Sequence, residues 1–341
     1  MWQLAVATLD HLPLTLSGCN PVVQAHCRSM FPPAVHRAEA TRPRDPMPAQ
    51  FDYTRAFSRN IGWVTQAEQV RLRNTRVAIA GMGGVGGVHL LTLARLGIGS
   101  FRIADFDSFD LANFNRQAGA GMASLDRPKA LVMADLARDI NPELDIEIFD
   151  RGLQPDNLSS FLDGADVYVD GLDFFAFDMR LRTFDACAAM GIPAITAAPL
   201  GMGSALMNFL PGRMGFEDYF CWAGQPDDER ALRFMIGLAP RLLQDYIAAP
   251  EHVDLDTRKT PSTVMACQLC AGIAATEVLK LVLQRGRILA APHGMHFDAY
   301  RQKMVTTWRP GGNRNPIQRL MLAIARRRLA AMRLQAALRQ G

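Results

Sequence analysis

The sequence predicts an α/β protein: a doubly wound, mainly parallel, Rossmann-like sheet with an antiparallel extension at its C-terminal end. Three observations carry that expectation. Between residues 76 and 198, short β-rich runs alternate with helical patterns, the order that parallel strands joined by right-handed crossovers require. The first strand runs into "GMGGVGG" (81–87), a turn almost free of side chains between strand and helix. Apolar residues make up 49% of the 341, enough to bury a sizeable core.

The elements follow in order. Residues 1–46 are proline-punctuated and lack the basic start of a signal peptide, so they read as a disordered leader or as an over-extended start ahead of Met47. Residues 47–75 read as a helical arm in which Thr65 caps "QAEQVRLRN". From 76 to 310 the pattern is one domain. "RVAIA" (76–80) is the first strand and a helix runs from the glycines through Leu96. "FRIAD" (101–105) is the second strand and "PKALVMADLARDI" (128–140) a helix with Pro128 in its first turn. "LDIEIFD", "DVYVD" (166–170) and "PAITAA" (193–198) continue the sheet, with helices at 155–163 and 176–190 between them. "SALMNFL" is a further strand, 211–262 an irregular and partly helical crossover or substrate insert, and "STVMACQLCAGIAATEVLKLVLQRG" one long, largely buried helix. "GMHFDAY" and "KMVTTW" pair as a terminal hairpin, and 314–341 is a basic C-terminal helix.

Charge and composition exclude several classes. The net charge is +4, yet the segment from Arg314 onward holds seven arginines and no acid, leaving the remainder at about −3. That balance argues against a general nucleic-acid surface, and no nucleic-acid partner is expected. No apolar run reaches the roughly 18–20 residues of a membrane span. Six cysteines without small-domain spacing point to reduced thiols and a cytoplasmic setting.

The glycines Gly81, Gly83, Gly84 and Gly86 let backbone N–H groups and a helix N-terminus approach phosphate oxygens; the bland alternative is a turn that packs helix on strand without a ligand. Asp105 follows Gly81 by 24 positions, near the distance at which an acid meets ribose hydroxyls. Asp107 could do the same, and either could cap the following loop. Arg116 separates one nucleotide from another, because a guanidinium fork suits phosphate and a nicotinamide site has no need of it. Lys129 adds a second cation; the alternative for both is a solvated charge. Asp170 and Asp173 lie where such sheets bind ligands and together could hold Mg²⁺, or one could cap the helix from 176. A ribose anchor, two cations and a magnesium carboxylate make an ATP site rather than an NAD site.

In that order, "GMGGVGG", "DFD", "NFNRQ", "RPKA", "INP" and the Asp170-x-x-Asp173 pair resemble the ThiF/MoeB/HesA family, bacterial relatives of ubiquitin-activating enzymes, over roughly residues 55–300. The resemblance implies a magnesium- and ATP-dependent adenylyltransferase acting on a carboxylate, often the C-terminal Gly-Gly of a ubiquitin-like sulfur carrier, and a homodimer. It implies that Gly84 contacts the nucleotide with Gly81, Gly83, Gly86, Asp107 and Asn113, and that Asp105 binds the ribose. Arg116 and Lys129 would neutralise the phosphates, and Asp173 would help place Mg²⁺. "RAFSRNIG" (55–62) resembles the segment that reaches a partner subunit's triphosphate, which assigns Arg59 that task.

Three departures qualify the resemblance. Well-known members bind zinc with two C-x-x-C pairs; here Cys267 and Cys270 are the single pair, and no structural zinc is expected. Cys221 is the one cysteine between 188 and 266 where relatives carry a thioester cysteine, and its aromatic neighbours point to burial instead. Phe174 replaces a polar residue that often follows the aspartate. In the tail, Ile317, Leu320, Met321 and Ile324 recur at helical spacing as an apolar face. The arginines beside them could hold an acidic partner or an anionic membrane; the expectation is a helix docked on its own domain with a solvated basic face. An NAD(P)-dependent oxidoreductase and a non-catalytic ATP-binding scaffold are the competing functions, separated from adenylation by which nucleotide binds and whether pyrophosphate is released.

Overall fold

In the computed structural model, residues 50–249, 252–253 and 260–340 are described, 332–340 as backbone; the leader 1–46 lies outside them. The arm opens with α1 (Tyr53–Ala56), whose cap Asp52 accepts from the N–H groups of Thr54 and Arg55. A 3-10 turn (Ser58–Asn60) and α2 (Gln66–Arg73) follow, and Thr65 and Glu68 cap α2 reciprocally, each side chain accepting from the other's backbone N–H. Then come β1 (Arg76–Ala80), α3 (Gly86–Leu96) and β2 (Ser100–Ala104), so Asp105 stands just past its strand. Polar groups of the arm close the end of α3: Asn60 and Gln69 donate to the Leu96 carbonyl and the Tyr53 hydroxyl to that of Gly97.

The chain continues through α4 (Lys129–Ile140), β3 (Asp145–Phe149), α5 (Leu158–Leu162), β4 (Val167–Asp170), α6 (Phe177–Met190), β5 (Ala194–Leu200) and β6 (Gly203–Phe209). Pro128 precedes the first residue of α4 instead of entering its first turn. The insert supplies α7 (Phe216–Phe220) and α8 (Asp227–Leu238). After it come α9 (Val264–Leu283), the hairpin β7 (His293–Asp298) and β8 (Lys303–Trp308), and the tail helix α10 (Pro316–Gln340).

Among the described residues, eight strands form one sheet in the order β3-β2-β1-β4-β5-β6-β7-β8. The pairs from β3 to β5 are parallel and those from β5 to β8 antiparallel, as the sequence predicts. The two-residue period of β1 separates two cores. Val77 and Ile79 join Leu90, Leu93, Phe101, Ile103 and Val278, whereas Ala78 and Ala80 face the aromatic layer of Phe161, Tyr168, Phe184, Phe220, Trp222 and Phe234. Alanine on that face leaves room for rings.

Two expectations are corrected. The sequence shows no run of membrane-spanning length, yet α9 is 20 residues long with mean hydropathy 1.6. It packs on α3, β5 and β6, and half of it is buried, which accounts for its apolarity as that of a core helix. The tail docks, but not by the expected face. Leu322 packs with Leu232 and Ile236 of α8, Gln318 donates to the Ile236 carbonyl, and Arg326 pairs with Glu229. Ile317, Leu320 and Ile324 are 54%, 61% and 37% exposed, and of the expected face only Met321 touches α8. The docked side is set by Gln318, Leu322 and Arg326, which match hydrogen-bonding and charged groups on α8 as well as apolar ones.

Candidate functional site

The glycine turn divides into two parts. Gly81 has φ +86°, and a Cβ there would lie 2.1 Å from the Gly171 carbonyl oxygen. A Cβ on Gly86 would lie 1.7 Å from the Gly81 oxygen. These two are glycine because backbone passes against backbone. Gly83 and Gly84 are different: a Cβ would meet only side chains, Gln117 at 3.7 Å and Cys267 Sγ at 3.2 Å with Arg116 at 3.6 Å. No side chain caps the N-terminus of α3 at Val85, and in its first turn the Gly87 N–H donates to the Gly83 carbonyl.

Asp105 closes this turn from the strand side. Its carboxylate accepts from the Met82 N–H at 2.6 Å and the Asp107 N–H at 2.8 Å. Burial raises its pKa above the usual aspartate value, against the pull of those two bonds and of nearby Lys129. Asp107 is engaged by Lys129, whose ammonium lies 3.0 Å away and is buried at 8% side-chain exposure. The structure thus places Asp107 beside the second cation, with Asp105 nearer the turn. Lys129 is no solvated charge. Arg116 is half-buried and lies across Gly84, its guanidinium donating to the Ala112 carbonyl and the Asn115 side chain. Asn113 caps the loop before it, accepting from the Asp110 N–H. The sequence reading passed over Gln117, although it follows Arg116 in "NFNRQ". Its side chain is buried beside Gly83, and its amide oxygen has no hydrogen-bond partner.

The second carboxylate pair is separated by a buried arginine. Asp170 is held by Arg180 Nε at 2.8 Å, with both side chains at most 3% exposed, and is not free for a metal. The Arg180 guanidinium also donates to the carbonyls of Leu172, Asp173 and Phe174 and stacks 4.8 Å over the Phe234 ring. Arg180 therefore fixes the loop that presents Asp173, and its residue type alone does not distinguish a buried clamp from a surface charge. Asp173 is exposed, with one oxygen accepting from the Phe175 N–H. Among the described residues, no group of three or more His, Cys, Asp or Glu is arranged for a metal. One exposed carboxylate fits Mg²⁺ that arrives on phosphate oxygens, not a dedicated protein cage.

Arg59 lies in the exposed 3-10 turn at the C-terminal end of α3. The glycine turn is at the other end, about 16 Å along an 11-residue helix, so the structure does not bring Arg59 to its own chain's turn. Cys267 and Cys270 are buried in α9, Cys267 against Gly84, and burial raises both thiol pKa values. Cys221 is half-exposed, contrary to the expectation from its neighbours. A left-handed backbone (φ +55°) turns it outward while Phe220 and Trp222 are buried, and Arg314 Nε donates to its sulfur at 3.3 Å.

The chain is similar to known proteins in sequence and in fold. The profile of the ThiF family matches residues 57–319. The sulfur carrier protein ThiS adenylyltransferase of Escherichia coli is 33% identical over 143 residues, 42% of this chain and 56% of that protein. The probable adenylyltransferase/sulfurtransferase MoeZ of Mycobacterium tuberculosis is 37% identical over 127 residues, 37% of this chain and 32% of that one. The chain thus spans about half of the first relative's length and a third of the second's. The SAMP-activating enzyme E1 of Haloferax volcanii is 32% identical over 221 residues, 65% of this chain and 72% of the relative. Among solved structures, PaaA superposes with TM-score 0.57 at 16% identity, covering 84% of this chain and 80% of that one. Escherichia coli MccB with ATP gives 0.56 at 18%, covering 74% and 70%. At these identities the two structures speak for the fold alone.

Proposed function

The chain belongs to the ThiF family, and from that premise we propose that it transfers AMP from ATP to a carboxylate, the C-terminus of a small ubiquitin-like protein or peptide, with release of pyrophosphate. The observation that carries this reading is the pair of cations at the glycine turn: Arg116 across the open Gly84, and buried Lys129 beside Asp105 and Asp107. A triphosphate uses both; a nicotinamide dinucleotide leaves them idle.

In this reading the α3 N-terminus and the open backbone of Gly83 and Gly84 face the phosphates, and Asp105 accepts from a ribose hydroxyl. A substrate carboxylate oxygen bonds to the α-phosphorus, the bond from that phosphorus to the bridging oxygen breaks, and the electron pair leaves with pyrophosphate. Arg116 meets the charge that develops on the leaving oxygens, and Lys129 does so by exchanging Asp107 for phosphate. Magnesium bound with the triphosphate supplies further charge neutralisation, with Asp173 as its protein ligand. The names of the ThiS- and SAMP-directed relatives support a small protein as substrate.

The placement of Arg59 supports a homodimer, because that residue serves a triphosphate only in a neighbouring chain. Among the described residues Cys187, Cys221, Cys267 and Cys270 are free thiols, which supports a cytoplasmic site of action. The test is ATP–pyrophosphate exchange with a peptide ending in Gly-Gly and with its C-terminally amidated form. Exchange that needs the free carboxylate is expected. NAD⁺ binding without ATP binding would overturn the assignment.

A further inference from the structure

We propose that the outer face of α10 is a docking surface for anionic phospholipid, a contact that does not depend on the adenylation reading. The docked side of α10 is occupied by α8, through Leu322, Gln318 and the Arg326–Glu229 pair. On its outer side Ile317, Leu320 and Ile324 stand at positions i, i+3 and i+7, each exposed, and among the described residues none belongs to a core cluster. Exposed Arg327 and Arg328 follow Ile324 by three and four positions and extend this stripe by one turn. Aliphatic side chains continued by guanidinium groups are the arrangement of a helix that lies in a lipid interface.

Charge complementarity selects the occupant. From Arg314 to the end the chain carries seven arginines and no acid. The acids packed nearby are on α7 and α8, on the docked side. Glu229 is held by Arg233 and Arg326, Glu217 accepts from the N–H groups of Trp222 and Ala223, and Asp218 from that of Gly215. Asp227 pairs with Arg230 on α8 itself, and Asp228 accepts from the Glu229 N–H. The outer face therefore stays cationic. RNA phosphates would meet the arginines but leave three aliphatic side chains without an apolar counterpart. A protein groove that takes an amphipathic helix encloses it on several sides, which α8 obstructs; a lipid surface needs only the outer stripe.

The experiment is co-sedimentation of the full chain with vesicles of phosphatidylcholine alone, or with 30% phosphatidylglycerol, near 0.1 M salt. The wild type is expected to pellet with the anionic vesicles only and to be released by high salt. Leu320→Glu with Ile324→Glu is expected to abolish pelleting while leaving ATP affinity and melting temperature unchanged, since both positions are exposed. Arg327→Gln with Arg328→Gln is expected to weaken partitioning about 25-fold, at about five-fold per arginine. Recovery of the wild type in the supernatant with anionic vesicles overturns the proposal. So does pelleting that survives the Leu320/Ile324 substitutions, or binding of soluble RNA or polyglutamate without any binding of vesicles.

Discussion

Arg116 and Lys129 carry like charges, yet their removal is expected to affect the fold differently. Arg116 donates only within its own loop, to Ala112 and Asn115, so Arg116→Ala should leave the melting temperature near that of the wild type. Lys129 is buried and holds Asp107, so Lys129→Ala should lower stability as well. Both should slow pyrophosphate exchange by about 10²–10³, the usual effect of losing one charge-stabilising donor; full exchange in either variant would remove that residue from the site. Asp105 adds a pH signature. Burial raises its pKa, so it takes up a proton above the ordinary aspartate value of about 3.9 as pH falls. The protonated form no longer accepts from both backbone N–H groups and a ribose, so ATP affinity should fall through that step. Because its folded pKa lies above the unfolded value, the same protonation favours the ligand-free fold, whose stability should not drop there. Calorimetry from pH 8 to pH 4.5, with Asp105→Asn lacking the step, checks both signs. Asp105 and Arg116 are legible in the sequence because motif spacing fixes them. Gln117 and the Lys129–Asp107 pair are not, since a residue type does not reveal its partner.

At the scale of elements, the loop from β4 to α6 depends on one buried side chain. Arg180 neutralises Asp170 and donates to the carbonyls of Leu172, Asp173 and Phe174. Arg180→Leu leaves Asp170 buried and unpaired, which should destabilise the fold by about 3–5 kcal/mol in urea unfolding. A loss below about 1 kcal/mol would mean that the clamp does not hold the loop. The strands were readable because period-2 and 3.6-residue patterns are local, and "RVAIA" and "DVYVD" fall where β1 and β4 lie. The tail is readable as a docked helix, but not by the side on which it docks. Hydrophobic spacing picks Ile317, Leu320 and Ile324, while the packing chosen by α8 uses Leu322, Gln318 and the Arg326–Glu229 pair. Likewise the aromatic neighbours of Cys221 imply burial, but its left-handed backbone places the thiol outward.

For the whole molecule, Arg59 and Arg116 lie at opposite ends of α3, so a site that uses both is built from two chains. Arg59→Ala and Arg116→Ala should each be inactive alone. Mixed in equal amounts and allowed to exchange subunits, they should recover about one quarter of wild-type exchange, because half of the dimers then carry one intact site. No recovery despite subunit exchange would confine the site to a single chain. Calorimetric titration of Mg·ATP, NAD⁺ and NADH, on the wild type and on Arg116→Ala, identifies the nucleotide. Mg·ATP alone is expected to bind, and the substitution to weaken it. Binding of NAD⁺ or NADH, indifferent to Arg116, would contradict that expectation and return the glycine turn to hydride chemistry.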